Sequence, residues 1–358
     1  MSNPWRGDGL ALEAGLPADD PMPVAALLAQ CPRHAPTPLV EVPDLARRVG
    51  VASVQIKDER NRMGLGSFKA LGAAYAIARE AANAGHGRVE TALAGRSFVA
   101  ASAGNHGLSV AAGARLFGAE AIIYLAETVP EAFAERLRLL GARVVRAGQI
   151  YEEGMAAAQD AAATEGWTLL SDSSWPGYTD LPHRVMEGYL QLAAEAADQM
   201  AEPPTHILLQ AGVGGLAAAV AAYARRMWGA APEIVVVEPE AAPALRDSIK
   251  AGRVVETVGP VSCMGRLDCK TPSLVALNGL ARDADCFVTI SEREANEALT
   301  CLAGLGFETT ASGGAGLAAL MAGLPVGPEA RVWAIVSEGP GDVLPLAGVP
   351  SIGVPAED

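Results

Sequence analysis

One lysine, Lys69, follows a glycine-rich turn and precedes a run of small residues in the stretch "KDERNRMGLGSFKALGAAYAIA". No carboxylate stands three or four residues further along to pair with its amine, and the neighbouring Phe68, Ala70 and Leu71 are apolar. Because apolar surroundings disfavour a charge, we expect the pKa of the Lys69 amine to be lowered. An uncharged amine attacks carbonyl groups, so Lys69 is a candidate catalytic residue. A solvated surface lysine is the alternative.

Two other stretches place small residues directly before a predicted helix. "VAASAGNHG" ends a strand-like run at Ser102 and continues with Asn105 and His106. "LQAGVGG" ends a second run at Gln210 and continues with the loop 212–215. Amide groups at a helix start bind anions, so the first stretch predicts a carboxylate pocket and the second a phosphate-binding loop. Helix capping is an equal alternative for Asn105 and His106.

The glycine loop also allows a nicotinamide-dependent oxidoreductase. Glu238 follows the loop by about twenty residues, the position at which dinucleotide-binding proteins place a ribose-binding acid. The loop has the spacing G-x-G-G rather than G-x-G-x-x-G, and it lies past the middle of the chain. Both features weigh against this alternative.

Composition narrows the class of partner. The chain has 358 residues, with 27 basic and 41 acidic side chains and a formal net charge of −14. This charge disfavours nucleic acid and anionic membrane surfaces and favours a small molecule. Apolar runs such as "LAAAVAAYA" are shorter than a membrane span, and the N-terminus lacks a signal-peptide pattern. We therefore expect a cytoplasmic protein.

The five cysteines show neither C-x-x-C spacing nor a histidine-rich neighbourhood. This pattern predicts no metal site and no disulfide framework, and we expect buried thiols. They are Cys31, Cys263, Cys269, Cys286 and Cys301.

From about residue 50 onward, short β-branched runs alternate with alanine-rich helical stretches. This alternation predicts an α/β fold with parallel-rich sheets flanked by helices. Ligands of such folds bind at the carboxyl ends of the strands, where the stretches described above lie. The predicted strands are "ASVQIKD", "SFVAAS", "AIIYLAE", "ARVVRAG", "WTLLSDSS", "HILLQAG", "EIVVVEP", "CFVTIS" and "RVWAIVSEG".

The order of these motifs resembles the fold type II pyridoxal-phosphate enzymes, which include the threonine dehydratases and the tryptophan synthase β subunit. The spacing in "SDSSWPGYTDLPHRVMEGY", residues 171–189, is similar to that of the diaminopropionate ammonia-lyase group within this family. With "PTPL" at 37–40 and the closing "SEGPGD", the resemblance covers about residues 35–342.

The resemblance implies pyridoxal 5'-phosphate as cofactor and assigns roles to the motif residues. Lys69 would bind the cofactor covalently and remove the substrate α-proton, and Asn105 would contact the cofactor ring oxygen. The loop Gly212, Val213, Gly214 and Gly215 would bind the phosphate, and Ser337 would face the pyridine nitrogen. The implied substrate-binding residues are Ser102, Ala103, Gly104 and His106.

Two residues of this family pattern bear on stereochemistry and on the leaving group. Ala103 stands where the diaminopropionate lyases have an aspartate that the resemblance implies acts on the D-substrate, so we expect L-amino acids to be preferred. The family's second acid has a counterpart in Asp172, which would assist departure of the β-substituent or recognise a β-amine. A turn-capping role is the alternative for Asp172.

The segment "CMGRLDCKTPS", residues 263–273, departs from the family pattern by adding two cations. Arg266 and Lys270 flank Asp268, and either cation could bind an anionic group on the β-carbon of the substrate, as in a hydroxyaspartate-like molecule. Ordinary surface charge is the alternative.

The family fold implies a small domain of residues 92–183 inserted into a large cofactor-binding domain of residues 1–91 and 184–358, with a homodimer as the assembly. The expected function is an ammonia-lyase or dehydratase that performs α,β-elimination on an L-amino acid with a β leaving group. Besides the nicotinamide enzyme, a non-catalytic ligand-binding relative of this fold remains an alternative.

Overall fold

A computed structural model describes residues 1–85 and 88–341 of the chain. The last residue of the "SEGPGD" motif and the end of the predicted large domain lie outside the described residues. Within the described part, no helix combines the length and the apolar character that a membrane span requires.

Ten strands of the described chain form two sheets. The six-stranded sheet has the order β1-β2-β10-β7-β8-β9, and the four-stranded sheet has the order β5-β4-β3-β6. All strand pairs are parallel except β1 with β2. The strands are β1 Leu39–Glu41, β2 Ser53–Asp58, β3 Ser97–Ala101, β4 Glu120–Leu125, β5 Arg143–Arg146, β6 Thr168–Leu169, β7 His206–Gln210, β8 Glu233–Pro239, β9 Cys286–Ile290 and β10 Arg331–Val336.

The α/β prediction is confirmed, and each of the nine predicted runs forms a strand. The tenth, β1, is a three-residue antiparallel edge strand that lacks the β-branched run from which the others were predicted. The α-helices are α1 Met22–Leu28, α2 Pro43–Val49, α3 Ala73–Asn83, α4 Asn105–Leu116, α5 Glu131–Leu139, α6 Tyr151–Glu165, α7 Asp180–Gln199, α8 Gly215–Trp228, α9 Ala244–Ala251, α10 Leu274–Asp283, α11 Glu292–Gly304 and α12 Ala315–Met321.

The four-stranded sheet uses residues 97–169 only, whereas the six-stranded sheet draws strands from both sides of that segment. This arrangement agrees with the predicted inserted domain, whose boundaries at 92 and 183 stay a prediction. Between the sheets, α7 packs against both α3 and α8. Helix α8 is buried from Gly215 to Ala224 because its alanines allow α7 and α10 to approach closely.

Parallel pairing brings the candidate residues to one edge of the larger sheet. Strand β10 lies between β2 and β7, and its last residue, Val336, pairs with Asp58 at the end of β2. The chain after β2 carries Lys69, the chain after β7 carries the glycine loop, and the chain after β10 carries Ser337. The carboxyl ends of the strands therefore build the site, as expected for a parallel sheet.

The expectation of buried cysteines is wrong. All five thiols are free, Cys263 is exposed, and the other four are half-buried. Cysteine often packs as a small apolar residue, but here Cys301 lies on α11, Cys286 begins the edge strand β9, and the other three lie in loops.

Candidate active site

Lys69 lies in a short 3₁₀ helix, Phe68–Leu71, and forms an ion pair with Asp172. Its Nζ atom is 2.6 Å from Asp172 Oδ2, and the two side chains are 21% and 23% exposed. Burial opposes the charge on the amine, but the carboxylate outweighs it and holds the pKa of Lys69 above its ordinary value. The expectation of a lowered pKa is therefore wrong, because a carboxylate 103 positions away in sequence meets the amine.

The same ion pair keeps Asp172 ionised. Burial favours the protonated carboxyl, yet the ammonium group of Lys69 holds the pKa of Asp172 well below its usual range. The turn that carries Asp172 is fixed by Tyr178, whose hydroxyl accepts from the Ser171 amide at 3.0 Å and donates to the Leu169 carbonyl at 2.8 Å. Tyr178 also stacks on Trp175 with ring centroids 4.4 Å apart. The motif therefore holds the carboxylate rigidly opposite Lys69.

Two aromatic rings enclose the Lys69 amine. Its Nζ atom lies 5.1 Å from the Phe68 ring centroid and 5.5 Å from that of Tyr189. A Cβ atom at Gly72 would come within 2.6 Å of the Tyr189 ring, so only glycine fits there. The buried Tyr189 hydroxyl has no hydrogen-bond partner within the described chain, and burial raises its pKa to about 12. Tyr189 therefore places a polar atom beside the Lys69 amine.

The asparagine loop is closed by its own first residue. Ser102 Oγ accepts from the amides of Gly104 and Gly107 at 3.3 and 3.1 Å. A Cβ atom at Gly107 would lie 2.8 Å from the Ser102 carbonyl oxygen, which explains the glycine. Ser102 therefore accepts from amides at the start of α4, which is the capping role that we considered as an alternative for Asn105.

The two polar residues of "AGNHG" point in different directions. His106 is buried, its Nε2 atom lies 2.8 Å from the Leu170 carbonyl oxygen, and burial lowers its pKa. Its Nδ1 atom has no partner among the described residues. Asn105 Nδ2 donates to Glu338 Oε2 at 2.5 Å, so its amide faces the strand edge that carries Ser337.

Arg266 joins this group and Lys270 does not. Arg266 Nη1 lies 2.6 Å from Glu338 Oε1, and the arginine lines a small polar pocket with Asn105 and Gly66. Lys270 Nζ donates to the carbonyls of Ala241 and Pro260 and to Asp268 Oδ1, at 2.8, 3.0 and 2.6 Å. These contacts use all three ammonium hydrogens of Lys270 and leave none for a substrate.

The glycine loop lies between β7 and α8. Gly214 has φ +99°, a conformation that side chains rarely adopt, and the carbonyl of Val213 accepts from the Ser273 amide at 3.0 Å. A Cβ atom at Gly212 would lie 3.0 Å from Cys269 Sγ and from Leu267 Cα. The segment with Arg266 therefore covers the loop, which leaves space only for backbone.

Glu238 does not stand near a ligand site. Its two carboxylate oxygens accept from the amides of Leu245 and Arg246 at 2.7 and 2.8 Å, and the side chain is fully buried. Burial raises the pKa of Glu238 to about 8. It holds the start of α9, so the nicotinamide alternative loses the acid on which it depended.

Ser337 is buried and contributes its backbone to the lysine loop. Its carbonyl accepts from the Phe68 amide at 3.0 Å, and its amide donates to the Gly313 carbonyl at 3.1 Å. This places Ser337 one hydrogen bond from the residue before Lys69. Its role at a pyridine nitrogen stays a prediction.

A cavity of about 210 Å³ lies beside Ala103 at the carboxyl ends of β3 and β4. Ser102, Tyr124, Thr128 and Tyr151 also line it. The side chains here are neutral, and the alanine contributes only a methyl group. No described cluster of His, Cys, Asp and Glu is arranged to hold a metal ion.

Four site residues were not identified from the sequence: Tyr151, Tyr189, Cys269 and Glu338. Tyr189 and Glu338 lie inside motifs that carry the resemblance, but no role was assigned to either side chain. Cys269 was treated as an ordinary thiol, although it abuts the glycine loop and burial raises its pKa to about 12. Only the packing of distant segments reveals these positions.

The residues that the structure brings together fit a pyridoxal-phosphate cofactor. An amine enclosed by aromatic rings suits a carbonyl compound, and the glycine loop at the start of α8 suits a phosphate. The unpartnered His106 Nδ1 and Tyr189 hydroxyl supply polar atoms that a ligand can satisfy. Glu238, the acid proposed to bind a ribose, instead accepts from the amides at the start of α9.

Comparison with known proteins agrees with this fit. The family model described as "Pyridoxal-phosphate dependent enzyme" matches residues 31–338. Diaminopropionate ammonia-lyase of Salmonella typhimurium is 33% identical over 310 residues, covering 81% of this chain and 75% of the relative. A serine dehydratase-like protein of Mus musculus is 30% identical, covering 76% of each chain.

A solved structure extends the likeness to three dimensions. Diaminopropionate ammonia-lyase from Escherichia coli, in complex with an aminoacrylate–PLP azomethine reaction intermediate, superposes with a TM-score of 0.85 and 29% identity. The match covers 96% of this chain and 94% of that one. The chain therefore belongs to the fold type II pyridoxal-phosphate-dependent enzymes, with pyridoxal 5'-phosphate as its cofactor. This confirms the predicted family, fold, cofactor and enzymatic class.

Proposed function

We propose that this enzyme is an ammonia-lyase that performs α,β-elimination on an L-amino acid with a β-amino group, giving a 2-oxo acid and ammonia. One observation carries the proposal: the half-buried ion pair of Lys69 and Asp172, whose surroundings we call the cleft. The relatives named diaminopropionate ammonia-lyase support this reaction type.

The protein's own residues divide the work. Lys69 would hold the cofactor and, when the substrate has replaced it there, take the α-proton as general base. The amides of the loop 212–215 would hold the phosphate, Asn105 the ring oxygen, and Ser337 the pyridine nitrogen. The bound cofactor withdraws electrons from the substrate Cα and so makes that proton removable.

The substrate carboxylate would lie at the start of α4. Gly104, Asn105 and His106 have amides at this helix N-terminus, where the helix dipole favours an anion. Ser102 fixes the loop through its hydroxyl, and Ala103 contributes backbone and a methyl group. Since no acid stands at position 103, proton removal is left to Lys69 on one face of the substrate, which favours the L-isomer.

The charge of Asp172 favours a substrate with an amino group on its β-carbon. In the ion pair Lys69 neutralises Asp172. As the uncharged base Lys69 would no longer present its ammonium group, and Asp172 would then be a half-buried carboxylate without this partner, while the charge of Arg266 is balanced by Glu338. A β-ammonium group would replace the lost partner, because a buried carboxylate is stabilised by an opposite charge. A β-carboxylate would be repelled.

The test compares kcat/KM for L-2,3-diaminopropionate, L-serine, L-threonine and L-threo-3-hydroxyaspartate. We expect diaminopropionate to be the best substrate, and Asp172→Asn to lower its kcat/KM by about 100-fold or more, with a smaller loss for serine. Asp268→Asn is the matched control, because Asp268 pairs with Lys270 at the same 2.6 Å outside the cleft. Equal losses on all substrates would contradict the β-ammonium role.

Arg266 favours a second candidate substrate, a 3-hydroxyaspartate-like amino acid. Its guanidinium group is 37% exposed beside Asn105 and has donors beyond the one that meets Glu338. If the enzyme prefers hydroxyaspartate and Arg266→Met removes only that preference, this candidate replaces the first. A homodimer and a cytoplasmic location stay expectations, and sedimentation equilibrium tests the former.

A further inference from the structure

Glu338 occupies a junction between the catalytic loops. It follows Ser337 at the end of β10, is 3% exposed, and pairs with Ser67 in an isolated antiparallel bridge. The amide of Gly339 donates to the Gly66 carbonyl at 3.0 Å. The main chain of Glu338 is therefore fixed to the loop that ends at Lys69.

The side chain of Glu338 reaches two further loops. Its Oε2 atom accepts from Asn105 Nδ2 at 2.5 Å. Its Oε1 atom accepts from Arg266 Nη1 at 2.6 Å and from the Thr310 hydroxyl. One carboxylate thus links the lysine loop, the asparagine loop of the smaller sheet, and the segment that covers the glycine loop.

An ionised carboxylate can only accept hydrogen bonds, whereas an amide group has a donor end and an acceptor end. Contact with Glu338 therefore fixes which end of the Asn105 amide points inward. The second Nδ2 hydrogen and the Oδ1 atom are left with a defined direction. Without this contact the amide could rotate by half a turn and present the wrong group to a ligand.

We propose that Glu338 is a positioning residue that orients the Asn105 amide for the cofactor, and that Arg266 serves Glu338 as its counter-charge. The inference rests on the proposed contact of Asn105 with the cofactor. It gives Arg266 a role within the protein that needs no anionic substrate. It also explains why a cation stands in this segment with a buried carboxylate opposite.

Arg266 is suited to this role by its charge and its position. Burial raises the pKa of Glu338, and the nearby Arg266 guanidinium group opposes that rise, so the carboxyl depends on this cation to stay ionised. The guanidinium group meets the oxygen that Asn105 does not use, so both contacts coexist. If the carboxyl took up a proton, it could donate a hydrogen bond, and the orientation of the Asn105 amide would no longer be fixed.

The experiment is a double-mutant cycle on the dissociation constant of pyridoxal phosphate, measured by equilibrium dialysis of the holoenzyme. Glu338→Gln and Asn105→Ala should each raise this constant about tenfold, the effect of one hydrogen bond to a charged group. The double variant should bind no more weakly than Asn105→Ala, because Glu338 acts through Asn105. Independent roles would instead multiply the two effects to about a hundredfold and overturn the proposal.

Other outcomes separate this inference from the proposed function. Weakened binding in Asn105→Ala with unchanged binding in Glu338→Gln contradicts the positioning role alone. Unchanged binding in Asn105→Ala contradicts the cofactor contact of Asn105 and the inference with it. Glu292→Gln is the matched control, because Glu292 accepts from Ser262 and Cys263 but has no contact with Asn105.

Arg266→Met gives a second arm that does not depend on how well the Glu338 variant folds. It should raise the cofactor dissociation constant several-fold in the wild-type background, and by much less in Glu338→Gln. The absorbance spectrum of the bound cofactor should change in the same variants. An unchanged cofactor constant with a loss of kcat/KM confined to diacid substrates would assign Arg266 to substrate recognition and overturn its counter-charge role.

Discussion

Two ion-paired groups lie near each other along the chain and differ in almost every physical respect. The cleft pair consists of Lys69 and Asp172. The buried ion cluster consists of Lys57, Glu59, Arg62 and Glu195. Arg62 contacts Glu59 and Glu195, and Lys57 lies 3.0 Å from Glu195. Arg62, Lys57 and Glu59 are fully buried, whereas Lys69 and Asp172 are about one-fifth exposed.

The buried ion cluster balances two cations against two carboxylates and adds Thr37 to the network. The Thr37 hydroxyl donates to Glu59 Oε1 at 2.6 Å, and its carbonyl accepts from Lys57 Nζ at 2.6 Å. The charges are thus satisfied internally and out of reach of a ligand. The cleft pair instead lies near two buried polar atoms, His106 Nδ1 and the Tyr189 hydroxyl, that have no hydrogen-bond partner among the described residues. Burial with balanced charge indicates a structural role, and partial exposure with an incomplete set of partners indicates a functional one.

Lys69→Ala should produce the largest effect, a loss of turnover with little change in stability. Turnover should fall by about four orders of magnitude or more, because covalent attachment and the α-proton base are lost together. The free energy of unfolding should change by only about 1 to 2 kcal/mol, since the pair is partly solvated. Oxo-acid release and urea unfolding measure the two quantities. Normal turnover in this variant would overturn the assignment of the site.

Arg62→Met should show the opposite pattern. Removing one partner leaves the carboxylates of Glu59 and Glu195 buried without their cation, which costs about 3 to 5 kcal/mol of stability. Turnover per cofactor-bound molecule should stay within about tenfold of wild type. Arg293→Met is the control, because Arg293 pairs with Glu297 on the surface and should contribute little. Equal destabilisation by both variants would show that the cluster is not structural.

Position 103 offers a test of the proposed single-face proton removal by Lys69. Wild type should turn over L-2,3-diaminopropionate at least about 100-fold faster than the D-isomer, because no general base replaces the missing acid. Ala103→Asp should narrow this ratio by raising the rate on the D-isomer. The measurement is oxo-acid release from each isomer. Similar rates on both isomers in wild type would exclude single-face proton removal.

The smallest expected effect concerns cofactor capture, whose pH dependence should shift in Asp172→Asn. Asp172 opposes the effect of burial and holds the pKa of Lys69 above its ordinary value, so its removal leaves burial opposed mainly by Tyr189 and the amine loses its proton at lower pH. The rate at which the cofactor-free variant binds pyridoxal phosphate should reach half of its maximum at a pH about one unit or more below that of wild type. Stopped-flow absorbance gives the profile, with Asp268→Asn as control. A shift toward higher pH would mean that Asp172 does not stabilise the ammonium form.

Local sequence predicted the elements of the fold because its signals are local. Nine strands were predicted from β-branched runs, and the turn glycines at 212–215 and the small residues of "AGNHG" marked the loops that follow β7 and β3. The edge strand β1 was missed because three residues carry too little pattern. Lys69, Asn105 and Ser337 were selected from motifs, and parallel pairing brings the loops of Lys69 and Ser337 to the same sheet edge. Asn105 follows β3 of the smaller sheet and meets this edge through its contact with Glu338.

Only the tertiary structure decided which charges meet. The pKa of Lys69 was expected to be lowered by its apolar neighbours in sequence, yet Asp172, 103 residues away, raises it. Glu238 was a candidate ligand-binding acid, but both of its carboxylate oxygens accept hydrogen bonds from amides at the start of α9. Arg266 and Lys270 stood alike in the sequence, but Arg266 meets the buried carboxylate of Glu338, whereas Lys270 meets two backbone carbonyls and its neighbour Asp268. Composition and periodicity determine elements because they act between neighbours, whereas electrostatics depends on distance in space, which the packing of distant segments sets.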